Sequence, residues 1–230
     1  MKQNIYEIEK NIEKLYRGQS TGFLTRNIYL EIKKHLKKGQ YNEYIPYPSS
    51  DKIILYRDKV PDVKLFLIDC AYLLKHSSIL GSLFSLNITN ESFGDIVFCQ
   101  DKIYVYLLSS ISDLVIRELH FIENTPVKFI EQDLDVLSHF ERDYEKKEYI
   151  VSSFRIDTVC AKIICQNRQY VHNLIQNKQI ILNYEIAKKV NYVLKDGDIF
   201  SIRRYGKYIF KGVIGKTKKD NYIILIEKYV

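Results

Sequence analysis

Three side chains that can bind anions follow one another at short intervals. Arg155 precedes one amphipathic helical pattern, and Arg168 and His172 lie four residues apart at the start of a second. The free N–H groups and the dipole of a helix N-terminus favour an anion there over a cation. We therefore predict that Arg155, Arg168 and His172 face phosphate groups and that the fold does not need the two arginines. On this interpretation Arg168→Glu leaves the fold intact or stabilises it slightly.

The same part of the chain is strongly basic. Residues 151–230 contain 15 Lys and Arg against 6 Asp and Glu, whereas the first 150 residues contain 20 and 22. A basic segment joined to a near-neutral body suggests a polyanionic partner, and nucleic acid is the first candidate. A lysine-rich solvated surface is the alternative. The cations that we expect to widen the basic surface are Lys188, Lys189, Arg203, Arg204, Lys207 and Lys211.

Two helices and a small sheet must position these cations. The first helix is predicted from apolar residues at positions 156, 159, 160, 163 and 164, which share one face. Asn167 is a good N-cap for the second helix. A strand at 180–183, a hairpin turn at Gly206 and a final apolar strand complete a unit of about 80 residues, a size that supports its own core.

Two parts of this chain resemble known families. The C-terminal segment resembles the alpha-L (S-four-type) RNA-binding domain in residues 155–157, 167–168, 174–175, 180–183 and 197–198. Over about residues 65–230 the chain resembles the YlmH family, through His76, Leu80-Gly81, Ile88 and Gly94-Asp95-Ile96 in its middle segment. The resemblance implies a non-enzymatic bacterial protein that binds ribosomal RNA and tRNA on the large ribosomal subunit. It also implies a role in rescuing stalled nascent chains.

The middle segment shows the order β-α-β-β-α-β, which predicts a ferredoxin-like (split βαβ) domain. Tyr104 and Tyr106 lie on its third strand, where an RNA-recognition module stacks bases; that module's aromatic-glycine signature is absent, so we favour ordinary sheet packing. The chain is thus predicted to be an α+β protein in consecutive parts: a helical N-terminal region (1–62), the ferredoxin-like middle domain (63–131), a charged linker (132–150) and the alpha-L domain (151–230).

Several classes of protein are disfavoured by what the sequence lacks. It has no Walker loop, no GxGxxG and no nucleophile elbow, so we expect no enzyme and no cofactor. The histidines and cysteines have no metal-ligand spacing, and no apolar run approaches the roughly 20 residues of a membrane helix. We expect a cytoplasmic protein. Two alternatives stay open: a cell-division or assembly factor whose basic domain binds another partner, and a remnant of an RNA-modifying enzyme.

Overall fold

The structure is a computed structural model that describes residues 2–37 and 39–229. It divides into two compact units, Met1–Glu141 and Arg142–Val230. Helices and sheets occur in both, so the predicted α+β class is confirmed. None of the helices in the described residues is long and apolar enough to cross a membrane.

The first unit begins with the predicted helices and with strands that the sequence analysis missed. Its elements are α1 (Lys2–Tyr16), β1 (Leu24–Thr25), α2 (Arg26–His35), β2 (Asn42–Tyr44) and β3 (Lys52–Tyr56). The strands form a sheet of order β1-β3-β2, so the prediction of a purely helical region is wrong. The run Ile53-Ile54-Leu55 is fully buried on both faces of β3. Such a strand lacks the alternation of polar and apolar residues by which a half-exposed strand is recognised.

The middle of the first unit has the predicted order of elements. They are β4 (Val63–Cys70), α3 (His76–Ser85), β5 (Phe93–Cys99), β6 (Lys102–Leu108), α4 (Ser109–Glu118), β7 (Phe121–Ile122) and β8 (Thr125–Gln132), followed by a 3-10 helix at Leu134–Leu137. The antiparallel sheet has the order β5-β6-β4-β8-β7, and its four long strands give the split βαβ topology. Apolar residues of α3 and α4, among them Ile79, Leu83 and Val115, cover one face of this sheet.

The second face of the middle sheet is closed by the N-terminal region. Tyr106 is fully buried and stacks on Tyr47, with ring centroids 5.9 Å apart and 13° between the planes. Phe23 and Ile54 pack in the same cluster as Tyr104 and Tyr106. The prediction that these two tyrosines serve ordinary sheet packing is therefore confirmed, because protein side chains occupy the surface on which a base would stack.

The second unit places two helices on one face of a six-stranded antiparallel sheet. Its elements are β9 (Tyr144–Val151), α5 (Ile156–Ile163), α6 (Arg168–Gln176), β10 (Ile180–Leu182), β11 (Glu185–Ile186), β12 (Ile199–Ile202), β13 (Gly206–Lys216) and β14 (Tyr222–Tyr229). The sheet order is β11-β10-β12-β13-β14-β9. Apolar residues of both helices pack on Phe200, Phe210 and Ile224 to form one core.

Part of the predicted charged linker belongs to this sheet. Residues 144–151 pair with β14 over their whole length, so the second unit begins before the predicted boundary at residue 151. The sequence analysis did not predict this strand because the run Glu145–Glu148 contains only charged residues. Charged side chains are common on an edge strand, where they hinder pairing with a further chain.

Candidate nucleic-acid interface

The three predicted anion-binding residues lie at the starts of α5 and α6. Arg155 occupies the N-cap position of α5, and its backbone bridges to Val193. Arg168 is the first residue of α6, whose predicted N-cap is confirmed: the Asn167 side chain accepts a 2.8 Å hydrogen bond from the Tyr170 N–H. Each helix start is thus fixed by a backbone or capping contact of its own.

A buried carboxylate joins all three cationic side chains. Asp157 is 0% exposed. Arg155 donates to it through Nε at 3.1 Å and Nη2 at 3.0 Å, and Arg168 donates through Nε at 3.2 Å and Nη2 at 2.6 Å. His172 Nε2 lies 2.9 Å from Asp157 Oδ2, and the Thr158 N–H donates to Oδ1 at 2.9 Å. We call Arg155, Asp157, Arg168 and His172 the Asp157 cluster.

The Asp157 cluster keeps its carboxylate ionised. Burial by itself would raise the pKa of Asp157, because it disfavours the charged form. The hydrogen bonds from Arg155, His172 and Arg168 outweigh that effect and hold the pKa of Asp157 well below its ordinary value. The carboxylate is therefore a permanent anion to which the cations of both helices are tied.

The expectation that the fold does not need the arginines is wrong. Each satisfies a carboxylate that water does not reach, and an unpaired charge in that position would be costly. Arg168→Glu, predicted above to be tolerated or stabilising, would put a second carboxylate against Asp157 and should destabilise the second unit. The local dipole at α6 favours an acidic side chain only weakly, by about 0.3–1 kcal/mol, so the loss of the ion pair decides the outcome.

The Asp157 cluster also presents cationic groups to solvent. The side chains of Arg168, Arg155 and His172 are 51%, 37% and 29% exposed. Arg168 uses Nε and Nη2 for Asp157, which leaves Nη1 for another acceptor. A guanidinium held in one orientation can donate charge-assisted hydrogen bonds to a phosphate with little further ordering. The cluster is therefore a structural tie whose exposed cationic groups are available to an anion.

Four of the other predicted cations lie on segments that adjoin the helices. Arg203 and Arg204 are exposed in the turn between β12 and β13. The Arg203 N–H donates to the Gln179 carbonyl just after α6, at 3.0 Å. Lys188 and Lys189 are exposed on the segment after β11. That segment runs on to Tyr192, whose carbonyl accepts a 2.8 Å hydrogen bond from the Ile156 N–H at the start of α5.

Lys207 and Lys211 lie elsewhere. They alternate along β13 with Tyr208 and Phe210, which are buried against the helices, so their side chains emerge on the opposite face of the sheet. Lys207 Nζ lies 4.2 Å from the centroid of the Tyr229 ring, and Lys211 Nζ lies 3.8 Å from a carboxylate oxygen of Glu227. The sequence analysis placed these two lysines on the same surface as the helical cations, and the structure separates them.

Two residues of the second unit have roles that the sequence analysis did not assign. Asp157 is the buried partner of both arginines, and an aspartate next to the apolar stripe of a helix is a signal of a buried ion pair. Lys178 adopts φ +57 just after α6. The Gln179 N–H then donates to the Leu174 carbonyl at 2.8 Å, which closes the helix end despite the side chain.

Comparison with known proteins identifies relatives of this chain. Residues 63–136 match the family model described as "Putative RNA-binding domain in YlmH". Over 153 residues, 66% of this chain, the sequence is 31% identical to ribosome-associated protein quality control protein P2 of Bacillus subtilis (strain 168), and the match spans 60% of that relative's length.

A solved structure described as cell division protein ylmH from Streptococcus pneumoniae matches with a TM-score of 0.48 and 16% identity, covering 57% of this chain and 90% of that one. The two sequence comparisons confirm the expected resemblance to the YlmH family, and residues 63–136 match the model of its RNA-binding domain.

Proposed function

We propose that this protein is a non-enzymatic RNA-binding factor that works on the ribosome in the cytoplasm. Its second unit, as an alpha-L domain, binds ribosomal RNA and tRNA on the large ribosomal subunit, and its role is quality control of stalled nascent chains. The observation that carries the proposal is the Asp157 cluster, in which two arginines and a histidine from adjacent helix starts are fixed at one surface of a basic unit.

Electrostatics supports this assignment to the second unit. Residues 142–230 contain 18 Lys and Arg against 9 Asp and Glu, and the cations near the helices are exposed. Phosphate contacts supply most of the affinity of such surfaces and carry no sequence information by themselves. Recognition of folded RNA by shape and phosphate position fits this arrangement. The name of the Bacillus subtilis relative, which refers to ribosome-associated quality control, supports the ribosome as the site of action.

Sedimentation through a sucrose gradient tests the proposal. The tagged protein should travel with large ribosomal subunits in a cell lysate. Because phosphate neutralisation drives binding, affinity for structured RNA should fall with a log–log salt slope of about −3 to −5 if about five phosphates are contacted. A slope near zero, or recovery with division proteins in place of ribosomal subunits, would contradict the proposal.

A pair of charge-reversal variants controls for net charge. Lys188→Glu with Lys189→Glu removes two exposed cations beside the helix starts, and neither lysine pairs with an acidic group in the described residues. Lys59→Glu with Lys128→Glu makes the same change of charge on exposed positions of the first unit. Ribosome association should fall several-fold more for the first pair than for the second.

A further inference from the structure

A groove opens beside the Asp157 cluster, between β9 and the turn that joins α5 to α6. Its volume is about 630 Å³, within the range of about 300–1,000 Å³ that is usual for small-ligand sites. We call it the β9 groove. It is lined by the cations Lys147, Lys162 and Arg168 and by uncharged residues that include Tyr149, Ile163 and Cys165.

The charge of the β9 groove is of one sign. None of the described residues that line it is acidic. Lys147 and Lys162 are exposed and form no ion pair within residues 2–37 and 39–229, and Arg168 can still donate through Nη1. The three cations come from separate elements, one from β9, one from the end of α5 and one from the start of α6. An anionic group in the groove would therefore be approached from several sides.

The groove also has an aromatic and apolar wall. Tyr149 is half-buried on the helix-facing side of β9, and Lys147 Nζ lies 5.7 Å from the centroid of its ring. Ile163, at the end of α5, also lines the groove and is partly buried. Cys165 lies in the turn after α5, has φ +53 and lines the groove. An aromatic ring beside several cations matches a ligand that combines an aromatic face with a negative charge.

We propose that the β9 groove binds one unpaired nucleotide of an RNA. Its base lies against Tyr149, and its phosphate lies between Lys162 and Arg168. A paired base offers no free face, whereas an unpaired base can stack on an aromatic side chain and is commonly recognised in this way. The inference rests on the proposed RNA-binding function and adds to it a preference for RNA with an unpaired residue next to the helical surface.

The test compares RNA probes on the full-length protein. Three probes are used. They are a short single-stranded oligonucleotide, the same oligonucleotide with every base removed so that all of its positions are abasic, and a fully paired duplex. Tyr149→Leu should weaken binding of the intact oligonucleotide by at least about fivefold, because base stacking is lost. It should leave the abasic oligonucleotide and the duplex within about twofold of the wild type. A melting curve checks that Tyr149→Leu remains folded.

A second comparison does not depend on the tyrosine. Lys147→Gln removes a groove cation, and Lys146→Gln removes an exposed cation on the opposite face of the same strand. Single-stranded RNA should bind several-fold more weakly to the first variant than to the second. An oligonucleotide that carries 4-thiouridine should also crosslink to groove residues in the wild type.

Three outcomes would overturn the inference. Equal losses for intact and abasic probes, or equal effects of Lys147→Gln and Lys146→Gln, would mean that the groove contributes only diffuse charge. Displacement of the oligonucleotide by a short acidic peptide at lower concentration than by RNA would make it a peptide site. After any of these outcomes, normal binding of the duplex and of ribosomes would still support the proposed function. If the wild type bound no RNA at all, the proposed function and the inference about the β9 groove would both be contradicted.

Discussion

The middle domain and the second unit have the same kind of packing but opposite net charges. Each covers one face of an antiparallel sheet with two helices. Residues 63–136 carry 5 Lys and Arg against 10 Asp and Glu, and the N-terminal region closes the second sheet face over Tyr104 and Tyr106. Residues 142–230 carry 18 against 9 and keep their cations in solvent. The segment that matches a domain described as RNA-binding is thus the acidic one.

The domain that matches an RNA-binding family model is thus different from the unit whose surface charge favours a polyanion. The net negative charge of the middle domain repels phosphate, and the buried face of its sheet is closed to bases. We therefore expect RNA affinity to come from the Asp157 cluster and its neighbours and the middle domain to serve as a scaffold.

The largest expected effect comes from removing the anchor of the basic surface. Asp157→Asn keeps the size of the side chain and abolishes the charge that ties Arg155, Arg168 and His172 together. The second unit should lose about 3 kcal/mol, the lower end of the range for breaking a buried ion pair, since the exposed arginines can still reach water. Hydrogen exchange in α5 and α6 measures the loss. Unchanged protection of these amides would contradict the structural role.

The pH profile provides the control for that variant. The pKa of Asp157 is lowered in the folded protein, so the stability it contributes is complete above its unfolded pKa of about 3.9 and is lost as the pH falls below that value. The wild type should therefore show acid destabilisation of the second unit that Asp157→Asn lacks. Identical acid limbs in the two proteins would mean that the carboxylate is not held by the cations.

The first unit should respond to pH at the alkaline end. Lys52 is 9% exposed and donates to the carbonyls of Asn90 and Phe93 at 3.0 and 2.7 Å. Burial lowers the pKa of Lys52 to about 8, against a smaller opposing effect of the Asp95 charge. Between pH 8 and about 10.4 the unfolded chain binds more protons, so stability should rise there by about 1–3 kcal/mol. Urea unfolding at several pH values measures this rise.

Lys52→Met is the matched variant for the alkaline response. It removes the titrating group while it keeps most of the buried side chain, so its first unit should show no rise assignable to this site. The second unit of the same protein serves as an internal reference. A rise of equal size in Lys52→Met would assign the alkaline response to another group.

The smallest expected effect concerns the end of α6. Lys178 holds φ +57, a conformation that costs an L-residue with a Cβ atom about 1–2 kcal/mol and costs glycine little. Lys178→Gly should therefore stabilise the second unit by about 0.5–1 kcal/mol after the greater entropy of the unfolded chain is counted. Lys178→Ala keeps the strained geometry and should bring no gain. Melting temperatures of the two variants decide the point.

Local patterns predicted most of the elements, and contacts between distant residues account for the misses. The helix at α6, its Asn167 cap and the split βαβ order follow from spacing that a single element displays. The strand β3 was missed because it is buried on both faces and shows no polar alternation. The strand β9 was missed because its charged side chains, which are usual on an edge strand, resemble those of a solvated linker. The role of Asp157 depends on Arg168, 11 positions away, and on the packing of α5 against α6. Local helix-dipole reasoning about Arg168 could not include that partner.

The most direct test compares the two units as separate fragments. Residues 1–141 and 142–230 correspond to the compact units, and circular dichroism verifies that each is folded. Their affinities for one structured RNA, measured at the same salt concentration, should differ at least tenfold, with 142–230 within about threefold of the full chain. Tighter binding by 1–141 than by 142–230 would place RNA recognition in the first unit and would contradict the account.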